Sequence, residues 1–222
     1  MAPKTPTPRR EDSLSRDRII EAAIALLDST GEGGLTFRAL SERLATGPGA
    51  IYGHIANKSD LLTAACDAIV ARTLEAKVSG TTPRSIIRHL ALAMFDMLDD
   101  HPWVGQALNQ SPGQLPVVRI LERIGQPLCA LGVPKRRQWP TVSALLSYIL
   151  GVGSQNAANR QFGQARNLDR TSFLQEVATE WSGLNADVFP FTRSMAGQLA
   201  SHDDRADFLA GIDLILRGIE AS

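Results

Sequence analysis

The chain has 222 residues, of which 44% are apolar and 5% aromatic, and its formal net charge at pH 7 is zero. A chain of this length can bury a full core in one domain or in two small ones. Its apolar runs are too short to span a membrane, and its two cysteines and four histidines are dispersed, which argues against a disulfide framework and a metal site. Because the net charge is zero, any attraction for nucleic acid must come from locally clustered basic side chains. We expect a soluble cytoplasmic protein that holds no metal and no cofactor.

Residues 1–12 combine prolines and threonines with basic side chains and have no apolar core, so they are not a secretory signal. We predict a disordered basic arm there. From Ser15 onward the apolar residues follow helical spacing, and no alternating strand pattern of useful length occurs. The sequence therefore predicts an all-α protein. Its first helix starts at an Ser15 N-cap and ends near Gly31.

The segment 36–58 has the pattern of a helix-turn-helix. Thr36 can cap one short helix, and Pro48 suits the first position of the next, because the N–H that proline lacks would be unpaired there. Each helix can bury one side, since apolar pairs recur at a spacing of four residues. These pairs are Leu40 with Leu44 and Ile51 with Ile55.

Three stretches carry a specific resemblance. They are SRDRIIEAA at 15–23, GGLTFRAL at 33–40 and IYGHIANKSDLL at 51–62. Together they resemble the amino-terminal domain of the TetR family of bacterial transcriptional regulators. The resemblance implies a DNA-binding unit at residues 13–60, whose second short helix enters the major groove.

The resemblance also implies which side chains contact DNA. Arg38 matches a contacting position and offers a planar fork for a guanine edge or a phosphate, although it could equally be a surface arginine paired with Glu42. Tyr52 matches a near-signature tyrosine, and Lys58 lies at a helix start where a phosphate could bind. The candidate DNA contacts are Thr36, Arg38, Thr46, Pro48, Gly49, Ala50, Tyr52, Gly53, His54 and Lys58.

One departure from the family pattern affects base reading. Gly53 stands where members of that family often carry a larger side chain, and Gly49 and Ala50 add almost no hydrogen-bond donors. We therefore expect base reading to depend on Arg38 and on apolar contacts such as Ala50 with a thymine methyl group. With two glycines in a helix of about seven residues, this helix is expected to be poorly ordered without DNA.

Residues 61–222 are predicted to form a helical effector-binding and dimerisation domain. A helix from Lys58 to about Lys77 connects it to the DNA-binding unit, and a Gly/Thr linker follows at 78–83, where the second part would begin. Further helices are predicted at 87–98, 103–109, 116–131, 140–160, around 173–181 and at 204–219, with a polar loop at 162–168 and an ambiguous segment at 187–201. In the last helix, Phe208, Ile212, Ile215 and Ile219 are expected to point inward, with Leu209 and Leu216 beside them.

In helix order this second part is similar to the same family's carboxy-terminal domain, in which the helices corresponding to 140–160 and 204–219 pair with their copies. The middle of the first of these helices is apolar nearly all round, with small residues at Ser147, Gly151 and Ser154. We therefore expect a homodimer that binds a palindromic operator. Ligand binding would favour a state of the dimer in which the two helix-turn-helix units no longer fit the operator.

An effector site in this domain would be lined by large apolar side chains, which favour a small and largely apolar molecule. Arg88, His89 and Gln155 are possible polar contacts. For each candidate, plain core is the favoured interpretation over ligand contact. The candidate ligand contacts are Met94, Phe95, Met97, Trp103, Leu121, Trp139 and Tyr148.

No catalytic motif occurs, so we do not expect an enzyme. The segment 151–153 (GVG) lacks the rest of a dinucleotide-binding fingerprint, and no phosphate-binding loop, nucleophile elbow or zinc-protease motif occurs. We therefore predict a transcriptional regulator, and a repressor in preference to an activator. The alternatives are a DNA-binding dimer without a small-molecule effector, and an all-α enzyme or cofactor carrier.

Overall fold

The computed structural model of the chain describes residues 14–75, 80–110, 113–199 and 201–220. Within these ranges the chain forms helices and no strand, so the all-α prediction is confirmed. The predicted basic arm and the predicted helix end near Lys77 lie outside the described residues. The helices are α1 Arg16–Gly34, α2 Phe37–Arg43, α3 Pro48–Tyr52, α4 Lys58–Glu75, α5 Pro83–Asp100, α6 Trp103–Gln110, α7 Leu115–Ala130, α8 Lys135–Ala165, α9 Arg170–Gly183, α10 Pro190–Leu199 and α11 Asp204–Glu220. None of the helices in the described part is long and apolar enough to cross a membrane.

The chain divides into two compact units between Ile69 and Val70, inside α4. The first unit holds α1 to α3 and most of α4, and the second holds the remaining helices. The boundary predicted between residues 60 and 61 falls within the same helix and stays a prediction. α4 is thus a continuous helix that belongs to both units.

In the first unit, α1 begins and ends where local rules place it. The Ser15 side chain accepts a hydrogen bond of 3.2 Å from the backbone N–H of Arg18, as an N-cap does. Gly31 interrupts the helix with φ 66° and ψ −173°, a conformation that glycine adopts without a steric penalty. The inner face of α1 is buried, with Ile19 and Ala23 fully covered.

In the second unit, α5 starts with a capping box in which Thr82 and Ser85 bond each other's backbone N–H groups. Close packing between the helices of this unit depends on glycines, which have no side chain. A Cβ on Gly153 of α8 would lie 2.5 Å from Leu98 Cδ1 of α5, and a Cβ on Gly105 of α6 would lie 2.4 Å from Ser154 Oγ. Glycine at these positions therefore lets α5 and α6 approach α8.

The long helix α8 differs from its predicted range of 140–160. It begins at Lys135 and continues to Ala165, so the predicted polar loop at 162–168 was wrong over its first half. The added last turn is stabilised by Phe162, whose ring meets the Phe173 ring of α9 edge-on at 6.1 Å. At the other end Pro140 lies inside the helix but is exposed, so the backbone carbonyl that loses its partner can bind water.

The last helices also refine the prediction. The ambiguous segment 187–201 contains α10, which packs against α9. Asp203 caps α11 by accepting bonds of 3.0 Å from two backbone N–H groups. The buried stripe of α11 consists of Phe208, Ile212 and Leu216, whereas Ile215 and Ile219, expected to point inward, are half-buried at its edge.

An ion-pair cluster ties α11 to α5. The Asp213 carboxylate is paired with Arg88 and, at 3.0 Å, with Arg84. The hydrogen bonds from Arg88 and then from Arg84 outweigh the effect of desolvation and hold the pKa of Asp213 below its usual value. The cluster fixes the register of two helices that also share an apolar contact.

Candidate nucleic-acid interface

The helix-turn-helix predicted at 36–58 is present in the first unit. Thr36 caps α2 through a 3.1 Å bond from the Ala39 N–H to its hydroxyl oxygen. Leu40, Ile51 and Ile55 are buried, each no more than 1% exposed. Three of the four residues expected to form the shared core are therefore covered, and Leu44 at the end of α2 is half-buried.

The turn between α2 and α3 depends on a residue that sequence analysis missed. Ala45 adopts φ 50°, in the left-handed region that non-glycine residues rarely occupy. The N–H of Thr46 then bonds to the carbonyl of Ser41 at 3.0 Å and closes the turn. No glycine or asparagine marks this position, so the sequence offers no signal for it.

The outer face of α3 is open to solvent. The helix has five residues, shorter than the expected seven, and it contains one glycine, because Gly53 follows as the C-cap with φ −67°. The expectation of two glycines inside the helix is thereby corrected. The candidate contacts on this face are all exposed, and they are Pro48, Gly49, Ala50, Tyr52, Gly53 and His54.

Tyr52 is exposed to 56% but is not free on the surface. Its ring stacks on the ring of Phe37, with 4.6 Å between the centroids and 13° between the planes. Phe37 is the first residue of α2, so the stack joins the two helices on their outer side. The sequence analysis assigned no role to Phe37, although a large apolar residue directly after a helix cap was a signal for a surface contact.

Arg38 lies on the exposed side of α2, and 90% of its side chain is accessible. Its Nε donates a 3.0 Å hydrogen bond to Glu42 Oε1 one turn later. The contact noted as the structural alternative is therefore present. It uses the inner edge of the guanidinium group and limits the orientations that the outer edge can take.

Lys58, at the start of α4, is held by a distant part of the same unit. Its ammonium group donates a 2.8 Å bond to the backbone carbonyl of Glu32. Two backbone N–H groups at this helix start are already bonded by side chains: that of Asp60 to Asn57 Oδ1 at 2.9 Å, and that of Ala56 to Asp60 Oδ2 at 3.1 Å. The start of α4 is thus a firmly capped terminus with a cation beside it.

The candidate ligand contacts in the second unit fall into two groups. Met94, Phe95, Met97 and Trp103 are buried in the core, none more than 8% exposed. Leu121 and Trp139 line an open groove of about 470 Å³ between α6, α7 and α8. Tyr148 is half-buried and lies against α11, where its hydroxyl donates a 3.1 Å bond to the carbonyl of Phe208.

This groove, which we call the α6–α8 groove, is largely apolar with a polar end. Besides Leu121 and Trp139, its lining includes Leu150, Asn109 and Ser154. Ser154 Oγ is buried and has no hydrogen-bond partner in the described part of the chain. A buried hydroxyl without a partner is energetically costly, and this oxygen faces Gly105 of α6.

The polar candidates named with the ligand contacts have other partners. Arg88 pairs with Asp213, and His89 Nδ1 lies 2.7 Å from the carbonyl oxygen of Ser85. A second cavity of about 400 Å³ lies beside α8 and α9. Its arginines are also paired, Arg160 with Asp99 and Arg170 with Asp204. The described lining of the α6–α8 groove, by contrast, contains no charged residue.

A capped helix-turn-helix with an open second helix, attached to an all-helical second unit, defines a DNA-binding regulator. Known proteins agree with this class. Residues 19–65 match the family described as bacterial regulatory proteins of the tetR family, and residues 80–222 match the tetracycline repressor-like carboxy-terminal domain. The chain belongs to the TetR family of bacterial transcriptional regulators.

Individual relatives cover nearly the whole chain. The transcriptional repressor DrrR1 of Streptomyces coeruleorubidus is 30% identical over 98% of this chain and 81% of its own. The structure of SCO7222, a TetR regulator from Streptomyces coelicolor, is 47% identical, with a TM-score of 0.84, and covers 94% of this chain and 99% of its own. ActR from the same organism, in complex with actinorhodin, shares the fold with a TM-score of 0.76 at 22% identity over 94% of this chain and 96% of its own.

Proposed function

We propose that this regulator is a repressor that binds a palindromic operator as a homodimer and leaves it when a small, largely apolar ligand binds. The observation that carries the proposal is the two-sided character of α3. Ile51 of α3 is buried, as is Ile55 just beyond the helix, while the residues around them are exposed. Such a helix is free to enter a major groove.

The proposed DNA contacts divide by chemistry. Arg38 reads a base edge, because its guanidinium group is exposed and oriented by Glu42. Lys58 and Tyr52 bind phosphates at the borders of the reading helix. Thr36 and Thr46 are further proposed DNA contacts. The small exposed residues Pro48, Gly49 and Ala50 of α3 and its C-cap Gly53 allow close approach to the bases, and His54 follows directly after the cap.

Two helices of the second unit present surfaces that a second copy would cover. On α8 the exposed stripe consists mainly of small residues, and on α11 Leu214 is 64% exposed. Small residues let helices approach closely, and an exposed leucine gains from burial. We propose that this surface forms the homodimer. It is made of Ala144, Ser147, Gly151 and Gln155 of α8 and Ala210 and Leu214 of α11.

A symmetric dimer has a direct consequence for the operator. Two identical helix-turn-helix units related by a twofold axis bind two half-sites of inverted sequence. The operator is therefore palindromic.

We place the effector in the α6–α8 groove. Its apolar lining suits an apolar body, and the exposed Asn109 amide in the same lining suits one polar atom of the ligand. Ser147 and Gly151 belong both to the groove and to the proposed dimer surface, so the second copy would cover part of its opening. The ligand releases DNA only if it binds more tightly to a state of the dimer that cannot bind the operator.

This role needs no chemical step, and we propose no enzymatic activity. Binding to an operator requires the protein to be where the DNA is, so we propose a cytoplasmic location. Within the described residues no cluster of three metal-binding side chains occurs, and the function proposed here uses none.

Selection of double-stranded DNA from a random pool by the purified protein tests the proposal. Moderate salt suppresses binding that depends on phosphates alone. We expect an enriched inverted repeat with half-sites about one helical turn apart. Failure of a well-folded protein to enrich any sequence would contradict the proposal.

The enriched duplex then serves as the probe for the ligand. Compounds that raise the melting temperature of the protein bind the folded state, and those in the α6–α8 groove should quench the exposed Trp139. A compound that stabilises the protein but leaves the duplex bound would contradict the proposed release. A Trp139→Phe variant is the control for the fluorescence signal.

A further inference from the structure

Helix α3, which we call the reading helix because it is proposed to enter the major groove, has few local interactions of its own. It is five residues long, its N-cap Gly47 has no side chain to accept a hydrogen bond, and Gly49 lies in its first turn. Isolated helices of this length do not persist in water. Ile51 is the residue of α3 that is buried, so a single side chain anchors the helix on its inner side.

The outer side has a second anchor in the Phe37–Tyr52 stack. With ring centroids 4.6 Å apart and planes only 13° apart, the two rings are in face contact. The backbone of Phe37 is held in place, because this residue begins α2 directly after the Thr36 cap. The unit's core does not require this ring, since Leu35, Leu40 and Ile51 fill it and Phe37 itself is only half-buried.

We propose that Phe37 is a positioning residue for operator recognition. Its ring holds the Tyr52 ring in one orientation before DNA arrives, so that the Tyr52 hydroxyl is directed at its phosphate and α3 is fixed against α2. The inference rests on the proposed function, that is, on α3 entering a major groove. Phe37 acts through Tyr52 and is not itself assigned a DNA contact.

The composition of α3 explains why one orientation matters. The other exposed residues of the helix are proline, glycine and alanine, so Tyr52 is its largest group able to contact DNA. A tyrosine that is free to change rotamer must lose that freedom on binding, and a side chain held in place beforehand avoids the loss. The stack thus pre-organises the one long side chain of the reading helix.

The test uses the duplex enriched from the random pool and three changes. Phe37→Leu keeps an apolar side chain but removes the ring face, and we expect operator affinity to fall by about three- to tenfold for each half-site, the range of one aromatic pair. Phe37→Tyr keeps a ring face and should bind like wild type. Tyr52→Phe keeps the stack and removes only the hydroxyl, so it should weaken binding.

The two sites should be coupled, which a purely structural role would not produce. In the Phe37→Leu background the Tyr52 hydroxyl is no longer directed at the phosphate, so Tyr52→Phe should cost little there. Independent losses that multiply in the double variant would overturn the proposal. Wild-type affinity in Phe37→Leu would overturn it as well.

A stability control separates positioning from simple loosening of the unit. Leu62→Ala removes a half-buried side chain of α4 that the proposal does not use. Operator loss in Leu62→Ala equal to that in Phe37→Leu, at equal melting temperature, would assign the effect to stability and overturn the inference.

A measurement without DNA completes the test. The chain has two tyrosines, so the ring signals of Tyr52 in an NMR spectrum can be assigned with the Tyr52→Phe variant. We expect a ring-current shift of these signals that disappears in Phe37→Leu. Absence of that shift in the wild type would refute the stack. If the wild type enriches no duplex, the proposed function fails and this inference falls with it, whereas an enriched duplex bound equally by Phe37→Leu refutes only the inference.

Discussion

The hydroxyl oxygen of Tyr148 lies where a side chain on Gly211 would begin, since a Cβ built on Gly211 would be 1.9 Å from it and 2.4 Å from the ring carbon Cζ. The Tyr148 ring cannot simply turn away. It stacks on the Phe208 ring at 5.6 Å, and its hydroxyl donates a 3.1 Å bond to the Phe208 carbonyl. α8 and α11 therefore meet through a tyrosine on one helix and a glycine on the other.

Gly211→Ala should destabilise the second unit. The added methyl group must displace a stacked ring, and overpacking of this kind costs about 1–3 kcal/mol. For a chain of this size we expect a fall in melting temperature of about 2–10 °C. Tyr148→Ala in the same chain removes the clash, so Gly211→Ala should cost much less in that background. Equal cost in both backgrounds would show that the ring does not occupy this space.

Lys58→Gln should weaken binding to all DNA sequences alike. A lysine that binds phosphate contributes about one counterion to the salt dependence, so in a dimer the slope of log K against log salt should become shallower by roughly two. The 2.8 Å bond to Glu32 shows that the ammonium group is held in one position in the absence of DNA. Affinities of wild type and variant measured across a salt series give the slope. Lys135→Gln, at an exposed position in the second unit, is the matched control and should leave the slope unchanged.

Arg38→Ala should relax sequence preference and not only affinity. A bidentate arginine contact discriminates between bases by about 1–3 kcal/mol, and a lysine cannot reproduce it because it lacks the planar fork. We expect selection from a random pool by Arg38→Ala, and equally by Arg38→Lys, to lose preference at one symmetric pair of positions. Unchanged sequence preference in both variants would show that Arg38 does not contact a base and that other residues, such as those of α3, recognise the sequence.

Glu42→Gln tests how Arg38 is oriented. The variant loses the 3.0 Å ion pair and one negative charge near the DNA. Non-specific binding should therefore rise, while the ratio of specific to non-specific affinity falls because the guanidinium group is no longer oriented. A ratio equal to that of wild type would mean that the pair has no role in recognition, as is common for exposed ion pairs.

Sequence analysis succeeded where the rule that decides the structure is local. Ser15 and Thr36 are caps and Gly31 interrupts α1 because the relevant hydrogen bonds and φ angles involve residues no more than four positions apart. The spacing of Ile51 and Ile55 likewise decided which face of the reading unit is buried. These features fix the helix-turn-helix without any knowledge of its surroundings.

Apart from the local turn at Ala45, the features that were missed depend on contacts between residues distant in the sequence. Lys58 donates a hydrogen bond to the carbonyl of a residue 26 positions earlier. The part of α8 beyond Arg160 is stabilised by the contact between the Phe162 and Phe173 rings. The ligand contacts were the hardest to assign, because core and groove are built from the same apolar residue types. Met94 is buried while Trp139 is 68% exposed, and helical periodicity does not separate the two cases.

Cys66 provides a test of burial that depends on pH. Burial, and to a smaller extent the charge of Asp67, raise the pKa of the Cys66 thiol to about 12. At pH 8 a thiol reagent should therefore modify only the exposed Cys129 of the folded chain and reach Cys66 only after denaturation. Two thiols reacting at equal rates in the native state would contradict the burial.

The same shift predicts how stability changes with pH. The thiol ionises near its ordinary value of 9.0 in the unfolded chain and near 12 in the folded one. The contribution is therefore fully present below pH 9 and is lost as pH rises from 9 towards 12, by up to about 1.4 kcal/mol per unit. The free energy of unfolding of Cys66→Ala should fall less steeply over this window than that of wild type, and Cys129→Ala should match wild type.

Gly151→Arg should separate the dimer without harming the fold of one chain. A Cβ on Gly151 meets nothing within 4 Å, and arginine is a better helix former than glycine, so the variant chain should fold with at least wild-type helicity. Across the proposed α8–α11 surface, however, a large cation would replace a residue that allows close approach, and its burial without a partner is costly. Light scattering and sedimentation should then show a monomer with greatly reduced operator affinity.

The matched control is Gly125→Arg. Gly125 is also a helical glycine with nothing within 4 Å of its Cβ position, but it lies on α7, outside the proposed surface. It should remain a dimer with wild-type operator affinity. Leu214→Arg provides a second approach, since it places a charge on the α11 side of the same surface while leaving the α6–α8 groove unchanged. A dimeric Gly151→Arg and a dimeric Leu214→Arg together would move the subunit interface to another face of the second unit, whereas one monomeric and one dimeric variant would restrict the interface to the helix whose change disrupts it.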